Sequence, residues 1–554
     1  MTDNQKLAEL VFGDVDKTPE YYESLYPERQ LPEGARVTRL APSPTGYLHI
    51  GGLFMGLINR RMVDANGGVF FLRIEDTDSK REVDGGVEAI VTGLHDFGII
   101  IDEGFVDNDT ERGNYGPYRQ SQRAEIYHCF AKKLMAEGLA YPCFCTEECL
   151  ADVRAKQEAE KERTGYYGKY AACRQLPFDE VKRRIDAGEK FVVRLRSPGK
   201  PDGRITFDDG IKGKIELPEN DEDFVLLKSD GIPTYHFAHA VDDHLMRTTH
   251  IIRGDEWIAS VPKHIQLFRL LGFKVPKYNH AAPIMKEDNG GKRKLSKRKD
   301  PEAAVSYYAE QGYPADSVTE YLLTIANSDY EDWRRANPDL PHTEFKLNIK
   351  KMSASGALFD IAKLNDVSKN VISRMSAEHV YDLLLGWARQ YDSQFAELLG
   401  RDADFARGIF AIDRGGKKPR KDIAKWSEAK DYCQYFFDEL YRADYTLPEH
   451  ISAADAVTIL RAYKAVYNPD DERDQWFDKI KSICPSANFC PEVKTYKADP
   501  DSYRGHSGDA ATIIRIALTG RMNTPDLCAI MRLLGTERVN ARIDSAINFY
   551  ERLV

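Results

Sequence analysis

Between residues 36 and 75 the apolar positions change period twice. Arg36 to Leu40 is a short run closed by the proline-rich stretch Pro42 to Gly46, which predicts a strand ending in a turn. Leu53, Phe54, Leu57, Ile58 and Val63 then recur at helical spacing. Gly67 and Gly68 break that helix, and Val69 to Ile74 reads as a buried strand. Strand, helix, strand in this order predicts a βαβ unit and a parallel sheet. The pattern blurs from about 120 to 220, where a charged helix, Glu147 to Arg163, and several short strands are expected. It resumes at Phe224 to Leu227 and at His250 to Arg253, with a helix from Ser260 to Leu271 and a strand around Ala281 to Met285. Beyond about Asp300 strand signals fade. Amphipathic helices are expected there, for example Ser317 to Ile325, Ala377 to Arg389 and Ser427 to Ala443. Residues 1–35 read as an acidic helical leader packed on the surface.

Composition changes this picture little. A chain of 554 residues has room for about three to five domains. The net charge of −10 excludes a bulk polycation, yet a local basic face still suffices for nucleic acid. Nine cysteines and no apolar leader argue for a reducing compartment, and no run of 18 apolar residues predicts a membrane span. The expectation is a cytoplasmic protein without membrane attachment.

Candidate chemistry changes it more. His49 lies at the strand-to-helix junction, where free N–H groups and the helix dipole attract phosphate. Gly51 and Gly52 would let a nucleotide approach the backbone closely. Residues 292–299 carry six cations in eight positions after Gly290 and Gly291. Such a run is a solvated face, a nucleic-acid patch, or a movable loop that stabilises a departing pyrophosphate.

His49-Ile50-Gly51-Gly52 and Lys294-Leu295-Ser296-Lys297-Arg298 together resemble the two signature motifs of class I aminoacyl-tRNA synthetases. Gly52 replaces the second histidine, as in glutamyl-type members. The stretch Arg39 to Gly46, then Arg73 to Asp78, Ser229 to His236, Val241 to His244 and Ile252 to Trp257 resemble further pieces of the glutamyl-type site. The glutaminyl relatives read Pro-Pro-Glu-Pro-Asn-Gly where this chain reads Ala41 to Gly46, which favours glutamate. The resemblance implies ligation of L-glutamate to the 3′ end of tRNA(Glu) through a glutamyl-adenylate, with Mg²⁺ and ATP, by a monomer. A non-discriminating enzyme that also glutamylates tRNA(Gln), and a glutaminyl-tRNA synthetase, are the alternatives. A nucleotidylyltransferase would need no large helical half, and a silent paralogue should lack the motif residues.

By the same resemblance His49, Lys294 and Lys297 are catalytic. Gly51, Gly52, Glu256, Trp257, Leu295, Ser296 and Lys297 contact ATP, and Arg39, Ser43, Glu75, Tyr235, His239 and Arg253 contact the amino acid. A γ-carboxylate needs a fixed cation, and an arginine fork binds it with two parallel hydrogen bonds; Arg39 is assigned that role and Glu75 the substrate ammonium. Cys143, Cys145 and Cys173 match the order of a zinc site in some bacterial members. Tyr170 or Tyr167 is the candidate fourth ligand, Cys149 a competitor, and three unligated cysteines the alternative. Arg420 and Arg515 are assigned to tRNA. The expected architecture is multidomain α/β. An extension (1–35) precedes a Rossmann-like parallel-sheet catalytic domain (36–120 and 223–300). That domain is split by an α+β acceptor-binding insertion (121–222). A stem-contact domain (301–370) and an all-α anticodon-binding region (371–554) follow.

Overall fold

The computed structural model describes every residue except 79–81, 108–109, 297 and 417. The chain forms two compact units, residues 1–307 with 319–360 and residues 308–318 with 361–554. The first unit opens with helices α1 (Asp3–Phe12) and α2 (Pro19–Leu25). Then come β1 (Val37–Leu40), α3 (Ile50–Asp64), β2 (Val69–Leu72), α4 (Gly86–His95), β3 (Glu103–Phe105) and β4 (Glu111–Arg112). The middle stretch supplies α5 (Ala124–Ala136), β5 (Ala140–Cys143), α6 (Glu147–Ala159), α7 (Phe178–Asp186), β6 (Val192–Leu195), β7 (Arg204–Asp209), β8 (Gly213–Pro218) and β9 (Val225–Leu227). Helix α8 (Tyr235–Leu245), β10 (His250–Gly254), α9 (Val261–Leu271), β11 (Lys277–Ala281), β12 (Met285–Asp288) and β13 (Gly291–Lys294) follow.

The expected βαβ unit is present. β1 pairs parallel with β2, Val37 opposite Val69 and Leu40 opposite Leu72, and β2 pairs parallel with β3. All four residues of β1 are buried, so both faces of the sheet are covered. β10 and β11 form a second parallel pair with Arg253 opposite His280. Thr249 stitches the two pairs together. Its N–H donates to the Val37 carbonyl, and its own carbonyl accepts from the Lys277 N–H, each at 3.0 Å. Arg39 and Arg253 therefore lie near the carboxyl ends of neighbouring strands, where α/β sheets bind ligands.

Several expectations shift. Phe224 to Leu227 does not resume the parallel sheet: β9 pairs antiparallel with β6, which pairs antiparallel with β5. An apolar run of this length reads alike in either kind of sheet. The strand expected at Ala281 to Met285 is the junction between β11 and β12. The first three residues of the cationic run, Lys292 to Lys294, lie on β13 in an antiparallel hairpin with β12, closed by Asn289 and Gly290, both at positive φ, as a two-residue primed turn demands. The N-terminal leader, by contrast, is helical and packed, as expected. Phe12, Val15, Tyr22 and Tyr26 are buried. Arg29 makes a two-pronged bond to Glu103 (2.7 and 2.9 Å) and stacks on Tyr115. Glu23 holds His244 and Arg247 at the end of α8.

The second unit is helical as expected, except for a two-residue parallel strand pair, Phe489–Cys490 with Gly505–His506. Helices Ala377–Tyr391, Ser393–Arg401, Ala403–Ala411, Ala453–Val466, Arg473–Ile483, Ser507–Thr519 and Leu527–Glu551 surround a core that includes Leu384, Phe395, Leu460, Ile513 and Ile543. Ser376, Asp392, Asp402, Ser452 and Asp526 cap helix starts with side-chain oxygens. The helix expected over Ser427 to Ala443 is confined to Ala429–Cys433. Beyond it the Tyr435 carbonyl accepts from Arg542 instead of a backbone amide, while Tyr435, Phe436 and Phe437 turn into the core.

Candidate active site

One cleft of about 430 Å³ gathers most of the candidate residues. Arg39, His49, Gly51, Gly52, Glu75, Tyr235, Arg253, Glu256, Trp257, Lys294 and Leu295 all line it. The size suits a nucleotide-sized ligand.

His49 is the N-cap of α3, and its Nδ1 accepts from the Gly51 N–H at 2.9 Å. A neutral imidazole with an accepting Nδ1 carries its proton on Nε2, so His49 presents a donor beside the helix N-terminus. A Cβ at Gly52 would stand 2.9 Å from Leu48 Cδ1, the end of a side chain that can turn aside.

Arg39 is held from behind. Its Nε donates to both Asp243 oxygens (3.1 and 3.2 Å), and the guanidinium reaches the cleft wall. Arg73 Nη1 donates to the same carboxylate (2.8 Å), and its Nη2 donates to Glu75 (3.1 Å). Next to Asp243, Asp242 accepts from Arg123 (2.7 Å), Gln120 (2.9 Å) and Tyr127 (2.8 Å). Arg39, Arg73, Arg123, Asp242 and Asp243 are all buried. Burial alone would raise the Asp243 pKa, but Arg39 and Arg73 outweigh it and hold the carboxyl well below its usual range. Burial raises the pKa of Glu75, against the pull of Arg73; a substrate ammonium beside it would favour its charged form.

Arg253 sits among aromatic and imidazole rings. It donates to Tyr235 Oη (3.1 Å), His280 Nε2 (3.1 Å), His264 Nδ1 (3.2 Å) and the Trp257 carbonyl (3.5 Å). Because His264 Nδ1 accepts, its Nε2 carries the proton and donates to His236 Nδ1 at 2.9 Å. Tyr235 packs on Trp257 with ring centroids 4.4 Å apart.

Some predicted residues fall elsewhere. Ser43 is exposed and is not among the lining residues. His239 lies one layer deeper, fully buried, with Nδ1 2.8 Å from Asp243 and its ring stacked beneath Tyr235. Burial lowers its pKa to about 3, so it supports the site as a neutral ring and does not reach the cleft. Ser296 lies outside the lining and donates its N–H to Asp300 (2.9 Å). Asp300 also grips Arg293 and Lys286, so the cationic hairpin is anchored at its base. Lys294 pairs with Glu256 at 3.3 Å. Lys297 lies outside the described residues. In the second unit Arg420 pairs with Asp422, and Arg515 donates to the Thr524 and Pro525 carbonyls, holding that turn.

Cys143, Cys145 and Cys173 converge, as expected, with sulfurs within 4.8 Å of one another and no disulfide. Tyr170 is not the fourth group: its hydroxyl bonds Glu160 at 2.6 Å. Tyr166 is, with Oη 3.4 Å from Cys143 Sγ and 3.3 Å from Cys145 Sγ. Cys149 lies in the first turn of α6, outside the cluster. Zinc–sulfur bonds of about 2.3 Å place tetrahedral sulfurs about 3.8 Å apart, and Cys145 and Cys173 are 3.7 Å apart. The donor set therefore fits zinc.

Comparison with known proteins agrees with this geometry. The family "tRNA synthetases class I (E and Q), catalytic domain" matches residues 36–366, and an anticodon binding domain matches residues 506–547. The glutamate–tRNA ligase of Clostridium beijerinckii is 52% identical over 549 residues, spanning 98% of this chain and 99% of its own. That of Sorangium cellulosum is 47% identical, spanning 96% and 99%. The crystal structure of a glutamate–tRNA ligase from Elizabethkingia meningosepticum with its amino acid superposes with a TM-score of 0.74 at 26% identity, covering 93% of this chain and 99% of that one. No helix among the described residues is long and apolar enough to cross a membrane. Fold, cleft and relatives converge, and the chain belongs to the class I aminoacyl-tRNA synthetases, in the glutamate–tRNA ligase family.

Proposed function

We propose that the chain joins L-glutamate to the 3′ end of tRNA(Glu) in two steps within the cleft. The observation that carries this reading is the convergence of two buried arginines, the carboxylate of Glu75 and a helix-capping histidine on one cavity. In the first step the glutamate α-carboxylate oxygen attacks the α-phosphorus of ATP, and pyrophosphate leaves with the electrons of the broken P–O bond. In the second a terminal ribose hydroxyl of the tRNA attacks the acyl carbon, and AMP leaves.

No enzyme nucleophile is required, so positioning and charge carry the catalysis. Asp243 fixes the Nε side of Arg39, which leaves the terminal nitrogens as a fork for the γ-carboxylate. Arg253 takes the α-carboxylate and Glu75 the ammonium. His49 donates from Nε2 to a phosphate oxygen, and the N–H groups that open α3 assist. Lys294 and Lys297 neutralise the leaving pyrophosphate, whose phosphates bring Mg²⁺ with them. Trp257 and Glu256 contact the nucleotide. Arg420 contacts tRNA, and Arg515 serves by shaping the turn at Thr524 and Pro525.

The test is charging of purified tRNA(Glu) and tRNA(Gln) transcripts with labelled glutamate and glutamine. Glutamate is expected to accumulate on tRNA(Glu) and glutamine on neither; preferential attachment of glutamine would overturn the assignment. The same preparation tests zinc, held by Cys143, Cys145, Cys173 and Tyr166. About one equivalent is expected by elemental analysis, falling below about a tenth in Cys145→Ser, with a lower melting temperature, because metal binding contributes to folding. Wild-type protein with under a tenth of an equivalent would remove the metal from the reading.

A further inference from the structure

Behind Arg253 runs a chain of buried hydrogen bonds that begins in a different part of the unit. Asp209 ends β7, in the β7–β8 hairpin. Its Oδ1 accepts from the N–H groups of Ile211 (3.0 Å) and Lys212 (2.9 Å), which shapes the hairpin turn. Its Oδ2 lies 2.6 Å from His280 Nδ1, and the His280 N–H donates to the same carboxylate. His280, on β11, then accepts from Arg253 Nε through Nε2 (3.1 Å). Asp209, His280 and Arg253 are 4%, 0% and 7% exposed.

The protons along this chain can be ordered in one way. An arginine Nε is always a donor, so His280 Nε2 must accept. A neutral His280 then carries its proton on Nδ1, facing Asp209, which accepts it as a carboxylate. Burial lowers the pKa of His280, which keeps the ring neutral. The guanidinium has five N–H groups. Four point to His280, His264, Trp257 and Tyr235, which leaves one, on Nη1, for a ligand in the cleft. Its direction is set by the plane of the guanidinium, and that plane is set from behind.

We propose that Asp209 and His280 are positioning residues for the amino-acid substrate: Asp209 fixes the His280 tautomer, and His280 fixes the plane in which Arg253 meets a substrate carboxylate. This rests on the reading of Arg253 as a carboxylate ligand. Asp209 lies 71 residues from His280 in sequence and does not line the cleft, so no motif near Arg253 indicates it.

Steady-state aminoacylation with the full chain tests the proposal through four variants. In Asp209→Asn one oxygen still serves the hairpin turn, but an NH₂ faces His280 Nδ1. The ring must then reverse its tautomer and point Nε2–H at Arg253 Nε–H. The glutamate KM is expected to rise about tenfold, as for loss of a hydrogen bond to a charged group. The ATP KM and the kcat at saturating glutamate should stay within about threefold. His280→Leu removes the acceptor and should raise the glutamate KM similarly. His280→Gln restores an acceptor that does not depend on Asp209, and should return the KM to within about threefold of wild type. Arg253→Lys tests the underlying reading. If it raises the glutamate KM while Asp209→Asn leaves it unchanged, the positioning role is overturned. If Arg253→Lys also leaves it unchanged, the assignment of Arg253 falls and the proposal with it. Should Asp209→Asn melt well below wild type, the His280 pair decides: equal glutamate KM in the leucine and glutamine variants refutes the proposal.

Discussion

Asp243→Asn is expected to destabilise the protein by about 3–5 kcal/mol, the range found when one partner of a buried ion pair is removed. Asparagine keeps the shape and one acceptor oxygen. What it removes is the charge that Arg39 and Arg73 share. Asp242 makes only a longer, 3.9 Å contact with Arg73 and is bonded to Arg123, Gln120 and Tyr127, so it compensates in part at most. The pH dependence has a definite sign. The folded-state pKa of Asp243 is depressed, so its stabilisation is full above the unfolded value of about 3.9 and is lost as pH falls through the folded value. The deficit of the variant in urea unfolding should therefore be constant between about pH 5 and 8 and shrink below about pH 4. A deficit that instead grew on acidification would contradict the ion-pair account. Activity should fall as well, with a raised glutamate KM, since Arg39 loses the group that aims it.

His49 offers the second large effect, and two of its functions can be separated. Nδ1 caps α3, while Nε2–H is the donor proposed for a phosphate oxygen. Asparagine at this position can cap but cannot reach as far as Nε2; glutamine can reach but caps poorly. His49→Asn is expected to fold normally and lose about 10²–10³ in kcat, the range for removal of one donor that stabilises transition-state charge. His49→Gln should recover part of that loss at some cost in melting temperature. Wild-type turnover in His49→Asn, measured as glutamate-dependent, tRNA-supported pyrophosphate exchange, would confine the histidine to helix capping.

Those residues show what the sequence makes legible. β1, α3 and β2 follow from local periodicity, and so does the location of His49 at a strand-to-helix junction. Arg39, Glu75, Tyr235, Arg253, Glu256 and Trp257 were placed by resemblance, and the cleft brings them together. Their supports were not legible as such. Asp243 stands within the segment Val241 to His244, yet nothing local says that it reaches Arg39, 204 positions earlier. Asp209 and His280 carry no pattern of their own. The zinc-type cluster was readable in its sulfurs but not in its oxygen donor. Tyr166, Tyr167 and Tyr170 lie within five residues, and only the backbone path selects Tyr166. Resemblance points His239 at the substrate; packing beneath Tyr235 draws it inward instead. Phe224 to Leu227 shows the same limit for strands, since apolarity marks burial and not the sheet that provides it.

The Asp242–Asp243 pair also imposes an order on synthesis. Arg39, Arg73 and Arg123 leave the ribosome well before their partners, and at about 5–20 residues per second the 204 positions separating Arg39 from Asp243 take roughly 10 to 40 s to translate. Throughout that interval Arg39 lacks its carboxylate and Arg73 has Glu75 alone among its acidic partners, so β1 and β2 must remain hydrated at their future core. The amino-terminal half of the catalytic sheet cannot close over its charges as a nascent chain until α8 has emerged. Any pause before α8 has emerged would lengthen the life of an open, charge-bearing intermediate.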